Sequence, residues 1–255
     1  MDLKERHRID CLSRHPWEIS RGKVIADILR GTIDGVANIL DIGCGDLFLE
    51  ECLSQYYPES CFFCVDIAFT EEEVTFLNQK QKNISVYNDL KAFAAENQQV
   101  DVILLLDVLE HIEDPLLFLN QLLDSPFVTK DTYLLITVPA FQGLYTSHDR
   151  FLGHYRRYCL GQLKDLLCKV RLENRQSGYF YFTLLLPRFL QRLKEKWISE
   201  GKGTTGLVEW KGGKMLTGVL CWVLTMDYRI GKFFRKMGIG LPGLSNYVLC
   251  KKEPV

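Results

Sequence analysis

No apolar run in this chain is long enough to cross a bilayer as a helix. The longest, residues 215–226, falls well short of the roughly 20 residues a membrane span requires. The N-terminus, MDLKERHRID, is charged and lacks the apolar stretch of a secretion signal, so none is expected. A dominant charge is missing as well: 31 Lys and Arg stand against 32 Asp and Glu, a formal net charge of −1. Without a broad basic field, nothing in the composition points to a nucleic-acid partner. The nine cysteines are odd in number and scattered without a disulfide framework. Cys61 and Cys64 form a C-x-x-C, but it lies in a strand-like run, where positions i and i+3 point to opposite faces and cannot share a metal. Free buried thiols and a reducing, cytoplasmic setting are the expectation. Finally, neither G-x-G-x-x-G nor G-x-x-x-x-G-K-[ST] occurs, so two familiar phosphate-binding loops are absent.

What is present is enough apolar sequence, 47% of 255 residues, to build one α/β domain around a large core. The first 35 residues carry a helical apolar pattern. Residues 37–42 read as a buried strand ending in Gly43-Cys44-Gly45, and a helix follows over 47–55. Further strands are predicted at 61–66, 83–87, 100–106 and 132–138. Helices are predicted from Thr70, whose hydroxyl and three following glutamates suit a helix N-terminus, and at 91–96 and 115–124. Strands alternating with helices predict a doubly wound, largely parallel sheet. The rhythm then changes. A polar, aromatic-rich loop covers 141–158, followed by a helix at 160–170 and a strand at 173–182. Two helices, 184–199 and 214–237, are joined by a glycine-rich loop at 201–213, and a last strand is expected at 245–251.

Two features carry ligand chemistry. Gly43 and Gly45, at a strand-to-helix turn, let a ligand approach the backbone closely. Asp66 ends the second strand 21 residues after Gly45, where a carboxylate can accept hydrogen bonds from both hydroxyls of a ribose.

The run ILDIGCGD, the acid Asp66 and the run DVILLLDVLEHIEDP together resemble the class I S-adenosylmethionine-dependent methyltransferases, in particular their type 11 and type 12 small-molecule branches. The resemblance covers roughly residues 36–160. It implies a Rossmann-like seven-stranded sheet in the order 3-2-1-4-5-7-6 with strand 7 antiparallel, which makes residues 184–237 a helical insertion before the last strand of a single domain. It also implies S-adenosylmethionine as cofactor and S-adenosylhomocysteine as product. Carried over residue by residue, Asp41, Gly43 and Gly45 face the methionine half. Asp66 holds the ribose with Ile67 flanking the adenine, and Asp89 and Leu90 lie at the adenine edge. Asp107 and Val108 line the floor under the sulfonium. The third glycine of the usual G-x-G-x-G is Leu47 here, which changes the start of the following helix.

Asp107, Glu110 and His111 form D-x-x-E-H, similar to the E-x-x-E-H on which some O-methyltransferases of the superfamily hold a divalent metal, with His148 or His154 to complete the set. The same leucine–glutamate–histidine run occurs in members without metal, and no metal is assigned. The loop SHDRFLGHYRRY, residues 147–158, sits where these enzymes build the acceptor site. It resembles a segment of methyltransferases encoded among bacterial polysaccharide and secondary-metabolite genes. His111, His148 and His154 are the candidate catalytic groups, since imidazole titrates near neutral pH. Arg157 and Tyr158 are candidate substrate contacts, unless the loop is only a hydrogen-bonded lid. His15-Pro16-Trp17-Glu18 is expected to pack against it. The 214–237 helix, apolar with basic edges, suits a membrane interface, an apolar acceptor, a dimer contact or burial against its own sheet.

The expected activity is methyl transfer to a small or lipid-linked acceptor: the hydroxyl of a glycan, aromatic or polyketide-like metabolite. Carbon methylation of an aromatic or quinone-like ring is the alternative. An NAD-dependent oxidoreductase and a cofactor-binding protein without turnover are the readings from other classes. Peripheral membrane contact stays open, and oligomeric state is not legible.

Overall fold

The computed structural model describes residues 14–33, 35–80, 82–197 and 210–253. Its strands are β1 (Asn38–Ile42), β2 (Cys61–Val65), β3 (Ile84–Tyr87), β4 (Val100–Leu106), β5 (Val128–Pro139), β6 (Leu172–Phe180) and β7 (Ser245–Lys252). They form one sheet in the order β3-β2-β1-β4-β5-β7-β6. Pairing is parallel from β3 through to β5, and β7 runs antiparallel to both of its neighbours. This is the topology that the resemblance implied.

The helices are α1 (Pro16–Leu29), α2 (Phe48–Ser54), α3 (Glu71–Lys80), α4 (Leu90–Ala94) and α5 (Pro115–Leu123). After β5 come α6 (Ser147–Leu152), α7 (Leu160–Lys169), α8 (Leu185–Trp197) and α9 (Lys214–Lys236). Alternation along the central strands explains why both sheet faces are covered. Val102 and Leu104 of β4 point into a core shared with Ile25 and Leu29 of α1, Leu53 of α2 and Leu224 of α9. Ile103 and Leu105 point the other way, among Phe93 of α4, Leu119 of α5 and Leu163 of α7. Cys61, at the exposed start of β2, and the buried Cys64 are both free thiols.

Local chemistry sets the helix starts near the site. The Thr70 hydroxyl accepts from the Glu73 amide at 3.2 Å while the Glu73 carboxylate accepts from the Thr70 amide at 3.0 Å, a reciprocal cap for α3. Asp114 accepts from the Leu117 amide at 3.0 Å, and Pro115 starts α5 with the φ it favours.

Two differences from expectation lie near the site or its strands. β5 begins at Val128 rather than at 132, because Thr132 hydrogen-bonds the Val100 carbonyl (2.7 Å) across a register shift that draws the charged residues 130–131 into the strand. Residues 141–158 are not all loop: a 3-10 turn spans Gln142–Leu144, and α6 forms on a Thr146–Asp149 capping box and stops at Gly153, whose φ is 83°. The helix α9 lies along α1 rather than burying itself whole. Cys221, Leu224 and Tyr228 face inward, and the Tyr228 hydroxyl donates to Asp27 at 2.9 Å. No helix among the described residues is long and apolar enough to cross a membrane. The expected helical pattern over residues 1–13 and most of the 201–213 loop lie outside the described residues.

Candidate active site

The carboxyl ends of β1, β2 and β4 converge on a cleft, the place where open α/β sheets bind ligands. After β1 the backbone turns through Gly43 (φ 82°) and Gly45 (φ 68°). Only glycine fits at Gly43: a Cβ there would stand 2.9 Å from Val108 Cγ2. Leu47, in the place of the usual third glycine, adopts the same left-handed region (φ 65°) and is held there by burial of its side chain. Across the turn, Asp66 Oδ2 accepts from the Gly45 amide and Oδ1 from the Ala68 amide, each at 3.0 Å. Each oxygen keeps a lone pair for a further donor. Ile67 beside it is 90% exposed, an apolar face next to the carboxylate.

Deeper in the cleft, Asp41 is buried and its Oδ1 has no donor. Burial raises its pKa, and against it lies Glu50, which burial and then the Asp41 charge push well above the usual carboxylate range. Burial and their mutual repulsion thus both oppose ionising the two carboxyls together. Helix α1 closes this end: Trp17, Glu18 and Arg21 line the cleft with Asp41, Gly43 and Leu106. Arg21 Nη1 pairs with Asp107 Oδ2 at 2.8 Å, and Nη2 donates to Thr137 Oγ1 at 3.0 Å. Thr137 in turn donates to Asp107 Oδ1 at 3.0 Å, fixing a residue whose own φ is 59°.

On the far side, the turn Leu109–His111 meets the 147–158 segment. The His111 and His154 rings stand edge to face with centroids 4.6 Å apart. Asp149, fully buried, is the hub of the segment. Its Oδ1 lies 3.0 Å from His154 Nδ1 and accepts from Arg157 Nε at 2.8 Å, and its Oδ2 accepts from Arg188 Nη2 at 2.8 Å. Burial opposes ionisation of Asp149, but the His154 hydrogen bond and the Arg157 charge outweigh it and hold the carboxyl well below the usual range. Glu110 is the reverse case. It is buried, neither oxygen has a donor, and burial and then the nearby Asp107 charge raise its pKa well above normal. Glu110, His111 and His154 bring one ligand atom each within 4.8 Å of one another.

A family model described as a methyltransferase domain matches residues 18–176, well over half the chain and nearly all of the residues just described, Trp17 and Arg188 lying outside it. The chain belongs to this methyltransferase family. It is an S-adenosylmethionine-dependent methyltransferase. Over 85 residues it is 35% identical to an enzyme named ubiquinone biosynthesis O-methyltransferase from Bartonella tribocorum. That match takes in 32% of this chain and 34% of the relative, so the chain spans about a third of the length of the curated relative it matches. Among solved structures, an S-adenosylmethionine-dependent methyltransferase from Archaeoglobus fulgidus superposes with a TM-score of 0.51 at 19% identity, covering 91% of this chain and 94% of that one. The plantazolicin methyltransferase BpumL, solved with S-adenosylhomocysteine, gives 0.54 at 18% identity, covering 93% and 85%. At such identities these two share the fold.

The donor set of the methyltransferase fits its cofactor. An orphaned carboxylate oxygen on Asp41 suits a cationic amine, and Asp66 offers two acceptors beside the apolar Ile67. Of the residues singled out from the sequence, Asp41, Gly43, Gly45, Asp66, Asp107 and Val108 gather at the cleft. Asp89 caps α4 through the Lys91 amide (3.1 Å), and Leu90 packs with the core beneath that helix. His111 and His154 come together, whereas His148 is outside that trio, its pKa lowered by burial and then by Arg188. Arg157 and Tyr158 are not open to a substrate as expected. Arg157 is buried on Asp149 and the Ala140 carbonyl, and the buried Tyr158 donates to the Leu109 carbonyl at 3.3 Å. The tract at 15–18 lies over the cofactor turn, with Trp17 and Glu18 in the cleft wall, rather than against the 147–158 segment. Arg21 and Arg188 were missed. The one usable signal for Arg21 is its i+4 spacing from Trp17 on a helix face that also carries Glu18.

Proposed function

We propose that this methyltransferase transfers a methyl group to the hydroxyl of a small or lipid-linked acceptor, with His154 as the general base. S-adenosylmethionine supplies a methyl group on a cationic sulfur, open to displacement by a nucleophile. Asp66 takes the ribose hydroxyls, Ile67 and Leu90 border the base with Asp89 at its edge, and Asp41 with the Gly43–Gly45 turn receives the methionine end. Asp107 and Val108 form the floor between the two substrates.

The observation that carries the reading is the chain Asp149–His154–His111. With Nδ1 bound to a buried carboxylate, the imidazole keeps one tautomer, and Nε2 is left as the acceptor. A hydroxyl beside it loses its proton to Nε2 as its oxygen takes the methyl group, and alignment of the reactants supplies much of the remaining rate. The name of the curated relative, an O-methyltransferase of ubiquinone biosynthesis, supports oxygen as the atom methylated and a lipid-linked ring as one acceptor class. Aromatic, glycan and polyketide-like hydroxyls are the others.

The test is mass spectrometry of products from a panel of such acceptors. His154→Gln is expected to lower kcat by about 10²–10⁴-fold with cofactor affinity unchanged. Product methylated at carbon, or an unaltered rate in His154→Gln, overturns the reading.

The donorless Glu110 oxygens favour a second reading for the same three side chains, a divalent cation held by Glu110, His111 and His154. Such a cation, held by these three side chains, would lower the pKa of a bound hydroxyl and so do the work of the base. Activity lost to a chelator and restored by one metal would decide for it.

A further inference from the structure

Helix α8 is mounted inside out. Its polar side faces the protein: Arg188 reaches Asp149, and Glu195 accepts from the Ser147 amide and hydroxyl at 3.0 Å each. Its opposite side carries Leu186, Phe189, Leu190 and Trp197, all exposed, with Trp197 87% open to solvent. An amphipathic helix normally buries its apolar stripe.

Helix α9 shows the same outward stripe beyond its contact with α1. Met215, Val219, Trp222, Ile230, Phe233 and Met237 are exposed along its length, with the half-buried Met226 completing the row. Altogether, twelve of the twenty large apolar side chains exposed among the described residues lie between Leu186 and Ile239.

Charge follows the same boundary. Residues 184–237 hold eleven Lys and Arg against four Asp and Glu, a net +7, which leaves −8 for the rest of the chain. Arg229 and Lys236, both exposed, border the α9 stripe next to Ile230 and Met237.

We propose that α8 and α9 seat the enzyme on an anionic lipid surface, their apolar stripes in the interface and their basic residues on the headgroups. Apolar faces rimmed by Lys and Arg, with tryptophans at the boundary, are what an interfacial helix needs. The net +7 of residues 184–237 argues against a second copy as occupant: an isologous contact would set like charges face to face, whereas anionic headgroups complement them. Docking also bears on the active site, since α8 holds Asp149 through Arg188 and Asp149 holds His154. An acceptor with a lipid tail would meet the catalytic segment from the membrane side.

The test is co-sedimentation of the full chain, without cofactor, with vesicles of phosphatidylcholine alone or mixed with phosphatidylglycerol. Binding to the anionic vesicles is expected to exceed that to neutral ones by at least about tenfold and to weaken with salt. Trp222→Glu with Phe233→Glu, and separately Arg229→Glu with Lys236→Glu, should each abolish the difference while the cofactor still raises the Tm of both variants. Equal or absent pelleting with the two vesicle types overturns the proposal. So does a dimer in sedimentation velocity that Trp222→Glu with Phe233→Glu converts to monomer, which would make the face a contact between copies. Vesicle binding needs no turnover, so it stands or falls apart from the choice of acceptor.

Discussion

Arg21 on α1 and Asp107 after β4 meet at 2.8 Å, joining a helix outside the sheet to the strand end at the centre of the cleft. The guanidinium thereby sits in the cleft wall with Asp41 and Gly43, the proposed methionine end. Arg21→Met is expected to weaken S-adenosylhomocysteine about tenfold, the loss of one charge-assisted hydrogen bond. Methylthioadenosine, which lacks the amino-acid half, should bind as before. Calorimetric titration of both ligands checks this, and equal loss for the two would mean that Arg21 only braces Asp107.

Asp149 gathers three basic side chains, so Asp149→Asn removes the one carboxylate that Arg157 and Arg188 share in a buried place. Removing one partner of a buried ion pair costs about 3–5 kcal/mol, to be read from urea unfolding at neutral pH. The folded pKa of Asp149 is depressed, so its contribution is full above the unfolded value near about 3.9 and is lost as pH falls towards the folded one. The gap between wild type and Asp149→Asn should therefore narrow only in acid.

Glu50 and Glu110 have the opposite sign. Both are buried with raised pKa, so the native state keeps protons that the unfolded chain releases above about 4.3. Stability of the free enzyme should fall as pH rises through that window. Glu50→Gln and Glu110→Gln should flatten the fall and match or exceed wild type at the alkaline end, as measured by urea midpoints across the pH range.

Gly43 and Gly31 make a controlled pair. Both have positive φ, 82° and 85°, but a Cβ at Gly31 meets nothing within 4 Å whereas one at Gly43 strikes Val108. Gly31→Ala should show backbone strain alone, roughly 1–2 kcal/mol. Gly43→Ala should lose more stability and also cofactor affinity, by thermal melts with and without S-adenosylhomocysteine.

The cofactor half of this protein was legible because its determinants are local. Strand alternation, Gly43 and Gly45 at positive φ, and Asp66 at a strand end all leave marks within a short window of sequence. The acceptor half is made by distant pairs. Asp149 draws on Arg188, 39 positions away, and even at the cofactor cleft a long-range contact, Arg21 to Thr137 across 116 positions, went unread. Nothing near Arg157 announces that its charge is used inside the protein, which is why it read as a substrate contact. Likewise the apolar residues of α9 could be counted from sequence, but which of them face α1 depends on the fold.

Whether the cleft holds S-adenosylmethionine is tested most directly by a thermal-shift titration with S-adenosylmethionine, S-adenosylhomocysteine and NAD in parallel. A ligand at about a hundred times its Kd adds roughly 2.7 kcal/mol to the folded state, and each kcal/mol is worth about 2–4 °C in a chain of this size. A rise of several degrees is expected with the two sulfur ligands, none with NAD, and loss of the rise in Asp66→Ala. No shift with either sulfur ligand, or a shift with NAD alone, would contradict the cofactor assignment.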